Sequence, residues 1–122
     1  MERSAAVLIV DDHDGFRTFA KAMLEDAGFA VSEAATGGDA MEAAGRLRPD
    51  LVLLDIQLPD VDGFEVATRL ATVSNGAVVV LTSARDADDF GSRITASQAA
   101  SFIPKAELSG AALRRYLACG PG

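Results

Sequence analysis

Apolar residues come in five short runs along this chain, at Ala6–Val10, Ala30–Glu33, Leu51–Leu54, Ala77–Leu81 and Ser101–Ile103. Three of them are apolar almost throughout, the pattern of parallel strands buried on both faces. Helical spacing fills the gaps between them. Phe16, Phe19, Ala20, Met23, Leu24 and Ala27 recur at intervals of three and four and draw one stripe. Asp14 is placed to cap that helix, and Gly28 sits where its C-terminal cap belongs. A second helix opens at Thr36-Gly-Gly-Asp39, in the form of a capping box. It is expected to bury Ala40, Met41, Ala44 and Leu47, and Pro49 blocks its continuation. A third helix runs from about Asp62 to Ala71, and a fourth from about Asp86 to Ser97 with Phe90 and Ile94 as anchors. The fifth begins near Ser109 and buries Ala112, Leu113, Tyr116 and Leu117.

Five β-α units in succession predict an α/β fold, a doubly wound parallel sheet with helices on both faces. Ligands in such sheets bind beyond the carboxyl ends of the strands. Each run that ends in a reactive side chain therefore delivers it to one rim. The first strand delivers Asp11 and Asp12, the third Asp55, the fourth Thr82 and Ser83, and the fifth Lys105.

With 122 residues, the chain makes one domain over positions 1–122. No apolar run approaches the roughly 20 residues that span a bilayer. The apolar stretch near the N-terminus is too short for a signal peptide, so a cytoplasmic location is expected. Cys119 is the lone cysteine and excludes an internal disulfide. The net charge is −7, and Arg114 and Arg115 form the one adjacent basic pair, read as a solvated face. Direct nucleic-acid binding needs a clustered basic surface and is not expected. A protein partner or a small cation suits the charge better.

Three carboxylates on one rim repel, by roughly 4 kcal/mol for a pair about 4 Å apart at an effective dielectric near 20. A bound cation offsets this, and an oxygen-rich donor set selects a hard one, Mg2+ or Mn2+. Lys105 adds a second positive charge and Thr82 a hydrogen-bond donor, which together suit an incoming phosphoryl group. Asp55 is the best candidate nucleophile for an acyl phosphate. It ends the apolar strand LVLLD and is followed by the turn-rich stretch IQLPDVDGFE.

Four stretches, VDD at 10–12, LLDIQLPDVDG at 53–63, VVVLTS at 78–83 and SFIPK at 101–105, resemble the response-regulator receiver domain of bacterial two-component signalling, the CheY-like family. The resemblance implies a flavodoxin-like (βα)5 sheet with strand order 2-1-3-4-5. It also implies that Asp55 takes a phosphoryl group from a histidine of a sensor kinase or phosphotransfer protein, in a Mg-dependent reaction. Asp12 would ligate the cation directly, Asp11 mostly through water, and Gln57 through its backbone carbonyl, with Asp55 completing the set. Thr82 would shift to the phosphoryl oxygen, Lys105 would pair with it, and Phe102 would turn inward as the aromatic switch. Gln57 and Ala84 flank the acyl phosphate and would tune its loss to water. No enzyme activity is implied beyond self-phosphorylation from small donors and slow self-dephosphorylation.

Phosphorylation would add about −1.5 to −2 charges at one point. The fourth helix, with few anchors and Gly91 inside it, is the cheapest element to move. The expected output surface is the fourth helix, fifth strand and fifth helix, facing a downstream protein or a fused output domain. Departures from the family pattern cluster near Lys105: Pro104 precedes it, Ala106 follows it, and serines stand at 83 and 101.

Two other readings come from different classes. Asp12-His-Asp14-Gly superficially matches a haloacid-dehalogenase-type phosphatase, with Asp12 as nucleophile and Asp14 as general acid. A flavodoxin-like electron carrier would share the topology, but its first loop should be rich in Ser, Thr and Gly rather than acids. His13 reads as a bystander, and Asp60 and Asp62 as turn and cap residues.

Overall fold

Alternation along the strands decides the layering, because successive side chains point to opposite faces of a sheet. A computed structural model of the chain describes residues 5–73, 77–84, 93–96 and 101–118. The strands are β1 (Ala6–Val10), β2 (Ala30–Ala34), β3 (Leu51–Asp55), β4 (Val78–Ser83) and β5 (Ser101–Pro104). Between and after them lie α1 (Asp14–Asp26), α2 (Gly37–Leu47), α3 (Gly63–Val73), α4 (Arg93–Ala96) and α5 (Gly110–Ala118). The sheet runs β2-β1-β3-β4-β5, parallel throughout. Val7, Ile9, Leu51, Leu53 and Val80 face α1 and α5, packing on Ala20, Leu24 and Leu113. Leu8, Val10, Val52, Leu54 and Leu81 face the other way, onto Ala40 and Ala44 of α2 and Phe64, Val66 and Leu70 of α3. Both faces are covered, so the fold is doubly wound.

Strand pairing extends the third and fourth strands past their apolar runs. Asp55 pairs with Thr82, and Thr82 with Ile103, so the reactive positions lie inside the ladder rather than after it. That gives them fixed backbone directions. Of the expected fourth helix, residues 86–92 and 97 lie outside the described residues, as does Cys119.

Several expectations are corrected. Phe19 is 61% exposed: it lies at the edge of the α1 stripe, which Phe16, Ala20, Met23, Leu24 and Ala27 carry without it. Leu47, at the last position of α2, is likewise exposed. Asp14 does not cap α1; His13 holds the cap position, and Asp14 sits in the first turn, paired with Arg17. Arg114 and Arg115 are exposed as expected, but Arg114 also makes specific contacts. It donates to the Ala27 carbonyl at the end of α1 and lies over the Phe29 ring. The α2 cap is as expected, with Thr36 Oγ1 accepting from the Asp39 N–H at 3.1 Å.

One glycine fixes how closely α3 approaches the end of β3. A Cβ on Gly63 would lie 2.6 Å from the Asp55 carbonyl oxygen and from Ile56 Cα and its carbonyl oxygen. Backbone on both sides cannot yield cheaply, so Gly63→Ala should cost about 1–3 kcal/mol. Urea denaturation would reveal it, and an unchanged midpoint would contradict this close approach.

Candidate functional site

The ends of β1, β3, β4 and β5, with the loops that follow them, build the rim. Asp11 follows β1 and is held there by its own N–H, which donates to the Ala34 carbonyl of β2 at 3.1 Å. Its carbonyl accepts from Arg17 Nη1 at 2.6 Å, and Arg17 in turn pairs with Glu33. Arg17 thus pins the β1–α1 turn to β2. The Asp11 side chain is fully buried. Its Oδ1 accepts from the His13 N–H at 2.8 Å and lies 3.1 Å from His13 Nδ1. Its Oδ2 pairs with Lys105 Nζ at 2.6 Å.

Asp55 is 2% exposed. Oδ1 accepts from the Gln57 N–H at 3.0 Å, and Oδ2 lies 3.4 Å from Lys105 Nζ. Lys105 therefore sits nearer Asp11 than Asp55. Asp12 stands at the open side with its side chain 36% exposed, 3.2 Å from His13 Nδ1. One ligand atom from each of Asp11, Asp12, His13 and Asp55 lies within 4.8 Å of the others. Such a cluster can hold a metal ion, and its carboxylate-rich donor set suits a hard cation.

Electrostatics separate the two buried acids. Burial pushes the Asp55 carboxyl up to about 6; the Asp11 charge adds to the rise, against the Gln57 N–H and Lys105. Asp11 is buried too, but Lys105 and the His13 N–H outweigh that and hold its carboxyl below the usual range. The pair therefore shares its charge unevenly.

The remaining candidates fall around this centre. Thr82 is buried, and its hydroxyl donates to the Ile103 carbonyl at 2.7 Å. Ser83 beside it is buried as well, whereas Ala84 is exposed just past β4. Gln57 is exposed and bridges to Asp62 across the β3–α3 loop. Phe102 is half-buried against the core face that α2 and α3 cover. Asp14 lies outside the cluster with its side chain 89% exposed, which removes the second acid of a D-x-D-G phosphatase site.

Four roles go beyond the sequence reading. His13 is drawn into the acid cluster by its cap position at α1. Arg17 braces the turn. Asp60 accepts from the Gly37 and Gly38 N–H groups at 2.8 and 3.0 Å, capping α2 from another loop, and those bonds hold its carboxyl below the usual range. Phe16 lies under the Lys105 ammonium, 4.3 Å from ring centroid to Nζ. Only Arg17 left a signal, as the i+3 partner of Asp14. A surface depression of about 410 Å³ between β2 and α2, lined by Arg17, Glu33, Asp39, Glu42 and Arg46 among others, lies beside the acid cluster and not over it.

Residues 7–116 match the response regulator receiver domain as a family. The chain is 36% identical over 101 residues to the response regulator GacA of Pseudomonas aeruginosa, covering 81% of this chain and 47% of that protein. It is 36% identical over 81 residues to the transcriptional regulatory protein AfsQ1 of Streptomyces coelicolor, covering 66% and 36%. It thus spans about half or less of the curated relatives it matches. Among solved structures, the BeF3-activated N-terminal receiver domain of Klebsiella pneumoniae RstA superposes with a TM-score of 0.81 at 30% identity, over 93% of this chain and 95% of that one. The chemotaxis protein CheY4 of Vibrio cholerae gives 0.81 at 25% identity, over 95% and 98%. No helix among the described residues is long and apolar enough to cross a membrane.

Proposed function

The chain belongs to the response-regulator receiver family, and from that premise we propose that Asp55 is the phosphoacceptor of a two-component signalling switch. The observation that carries this reading is the meeting of Asp11, Asp12 and Asp55 with Lys105 at one sheet edge. Asp55 Oδ2 attacks the phosphorus of a phosphohistidine or small phosphodonor. The bond from phosphorus to the donor breaks, and its electron pair leaves with the donor. Lys105 neutralises charge on the transferring group, and the Gln57 N–H holds the other Asp55 oxygen in place. A magnesium or manganese ion, held by Asp11, Asp12, Asp55 and the Gln57 carbonyl, would supply charge neutralisation for the phosphoryl oxygens when bound.

Thr82 links chemistry to shape. Its hydroxyl is committed to the Ile103 carbonyl of β5. Turning to a phosphoryl oxygen means releasing β5 at that point, next to Phe102. The readout face is then β5 and α5 together with the fourth helix. A sensor kinase or phosphotransfer protein donates, and a downstream protein or linked output domain reads that face. Loss of phosphate to water is set by access past Gln57 and Ala84.

Incubation with acetyl phosphate tests the transfer. Intact-mass measurement should give one added phosphoryl group with Mg2+ and a loss of labelling in EDTA. Equal labelling in both would count against a cation held by these acids. For the switch, Thr82→Ala should still be labelled at Asp55, but beryllofluoride should no longer change amide exchange in residues 101–118. A change as large as in the wild type would remove Thr82 from the switch.

A further inference from the structure

We propose that Phe16 is a positioning residue for phosphoryl transfer, its ring face holding the Lys105 ammonium at the place where the phosphoryl group arrives. The inference rests on the receiver reading of Asp55 and goes beyond it. Among the described residues, Lys105 Nζ meets Asp11 Oδ2 at 2.6 Å, Asp55 Oδ2 at 3.4 Å and the Phe16 ring centroid at 4.3 Å. Two of these are carboxylates with other work to do. Asp11 is a proposed cation ligand, and the Asp55 carboxylate becomes an acyl phosphate. A lysine held only by them would lose its anchors as the reaction assembles, and its four-carbon stem has many rotamers to escape into.

The ring is different. No cation or phosphate competes for its face, and its negative quadrupole attracts an ammonium without using any of the three N–H donors. The ring therefore leaves all three donors to oxygen partners, phosphoryl oxygens among them. Phe16 is itself fixed, standing in the first turn of α1 and packing on the core that Val7, Ile9, Leu53 and Ile103 share. The Lys105 side chain is 17% exposed, so the contact is largely shielded from water. A leucine at 16 would fill the same corner of the core but would offer no such face.

Labelling rates with acetyl phosphate and Mg2+, followed by intact mass, test this. Phe16→Leu should slow labelling by about 3- to 30-fold, whereas Phe16→Tyr should stay within about twofold of wild type. In a Lys105→Met background, Phe16→Leu should change the remaining rate by less than about twofold, because the residue acts through the lysine. If Phe16→Leu does not fold, a fluorinated phenylalanine at position 16 keeps the shape while weakening the ring face, and it should slow labelling in the same direction. A wild-type rate for Phe16→Leu or for the fluorinated ring, or an equal loss with and without Lys105, would overturn the proposal. A wild-type chain that takes no label at Asp55 would instead overturn the receiver reading, and this inference with it.

Discussion

In metal-free buffer at pH 7, Asp55→Asn should be more stable than the wild type by about 2–3 kcal/mol, an unusual sign for a change at a buried position. The reason is the site's own electrostatics. Asp55 is 2% exposed, and burial raises its carboxyl from 3.8 to about 6. Below about pH 4 the folded and unfolded chains both hold the proton, and the residue carries no penalty. Between about 4 and 6 the unfolded chain releases its proton first, so stability falls as pH rises. Above about 6 the penalty is complete. Asparagine does not titrate, keeps an oxygen for the Gln57 N–H, and removes the repulsion from Asp11. Denaturation midpoints in EDTA at pH 7 and pH 4 would measure the gap. It should be largest at pH 7 and nearly closed at pH 4; a variant less stable at pH 7 would contradict the assignment of a strained acid.

Lys105→Met should go the other way. Its ammonium is the one positive side chain of the described residues in contact with both Asp11 and Asp55. Removing it leaves two buried carboxylates facing each other without their counter-charge. Breaking a buried pair in this way costs about 3–5 kcal/mol, and the partly open site should bring the loss here to roughly 3. Adding Mg2+ should restore part of that stability, because a divalent cation supplies the missing charge to the same oxygens. Labelling of Asp55 should fall by about 10²- to 10³-fold, as for the loss of one preorganised charge-stabilising donor. Melting curves with EDTA and with Mg2+ separate the two effects. An unchanged midpoint in EDTA, or a full labelling rate, would sever Lys105 from the acids.

The sheet was readable because its strands are buried on both faces and must be apolar, and because parallel topology sends every strand end to one edge. Asp11, Asp55, Thr82 and Lys105 were legible for that reason. The helices were less so. A stripe at spacings of three and four does not say where its edge falls, and Phe19 lies beyond it. Contacts between residues distant in sequence left no trace: Asp60 caps a helix 22 and 23 residues away, and Arg114 reaches a carbonyl 87 residues back. The direction of Lys105, closer to Asp11 than to the phosphoacceptor, depends on side-chain packing at the rim that no spacing encodes. Phe16 read as core and packs half-buried on the core, yet its ring also meets the lysine.

Peptide mapping of the chain after incubation with acetyl phosphate and Mg2+, with the acyl phosphate trapped by reduction, bears most directly on Asp55. The expected result is a single modified residue, Asp55, and no modification in Asp55→Asn. A phosphoryl group on Asp12, or labelling that persists unchanged in Asp55→Asn, would contradict it.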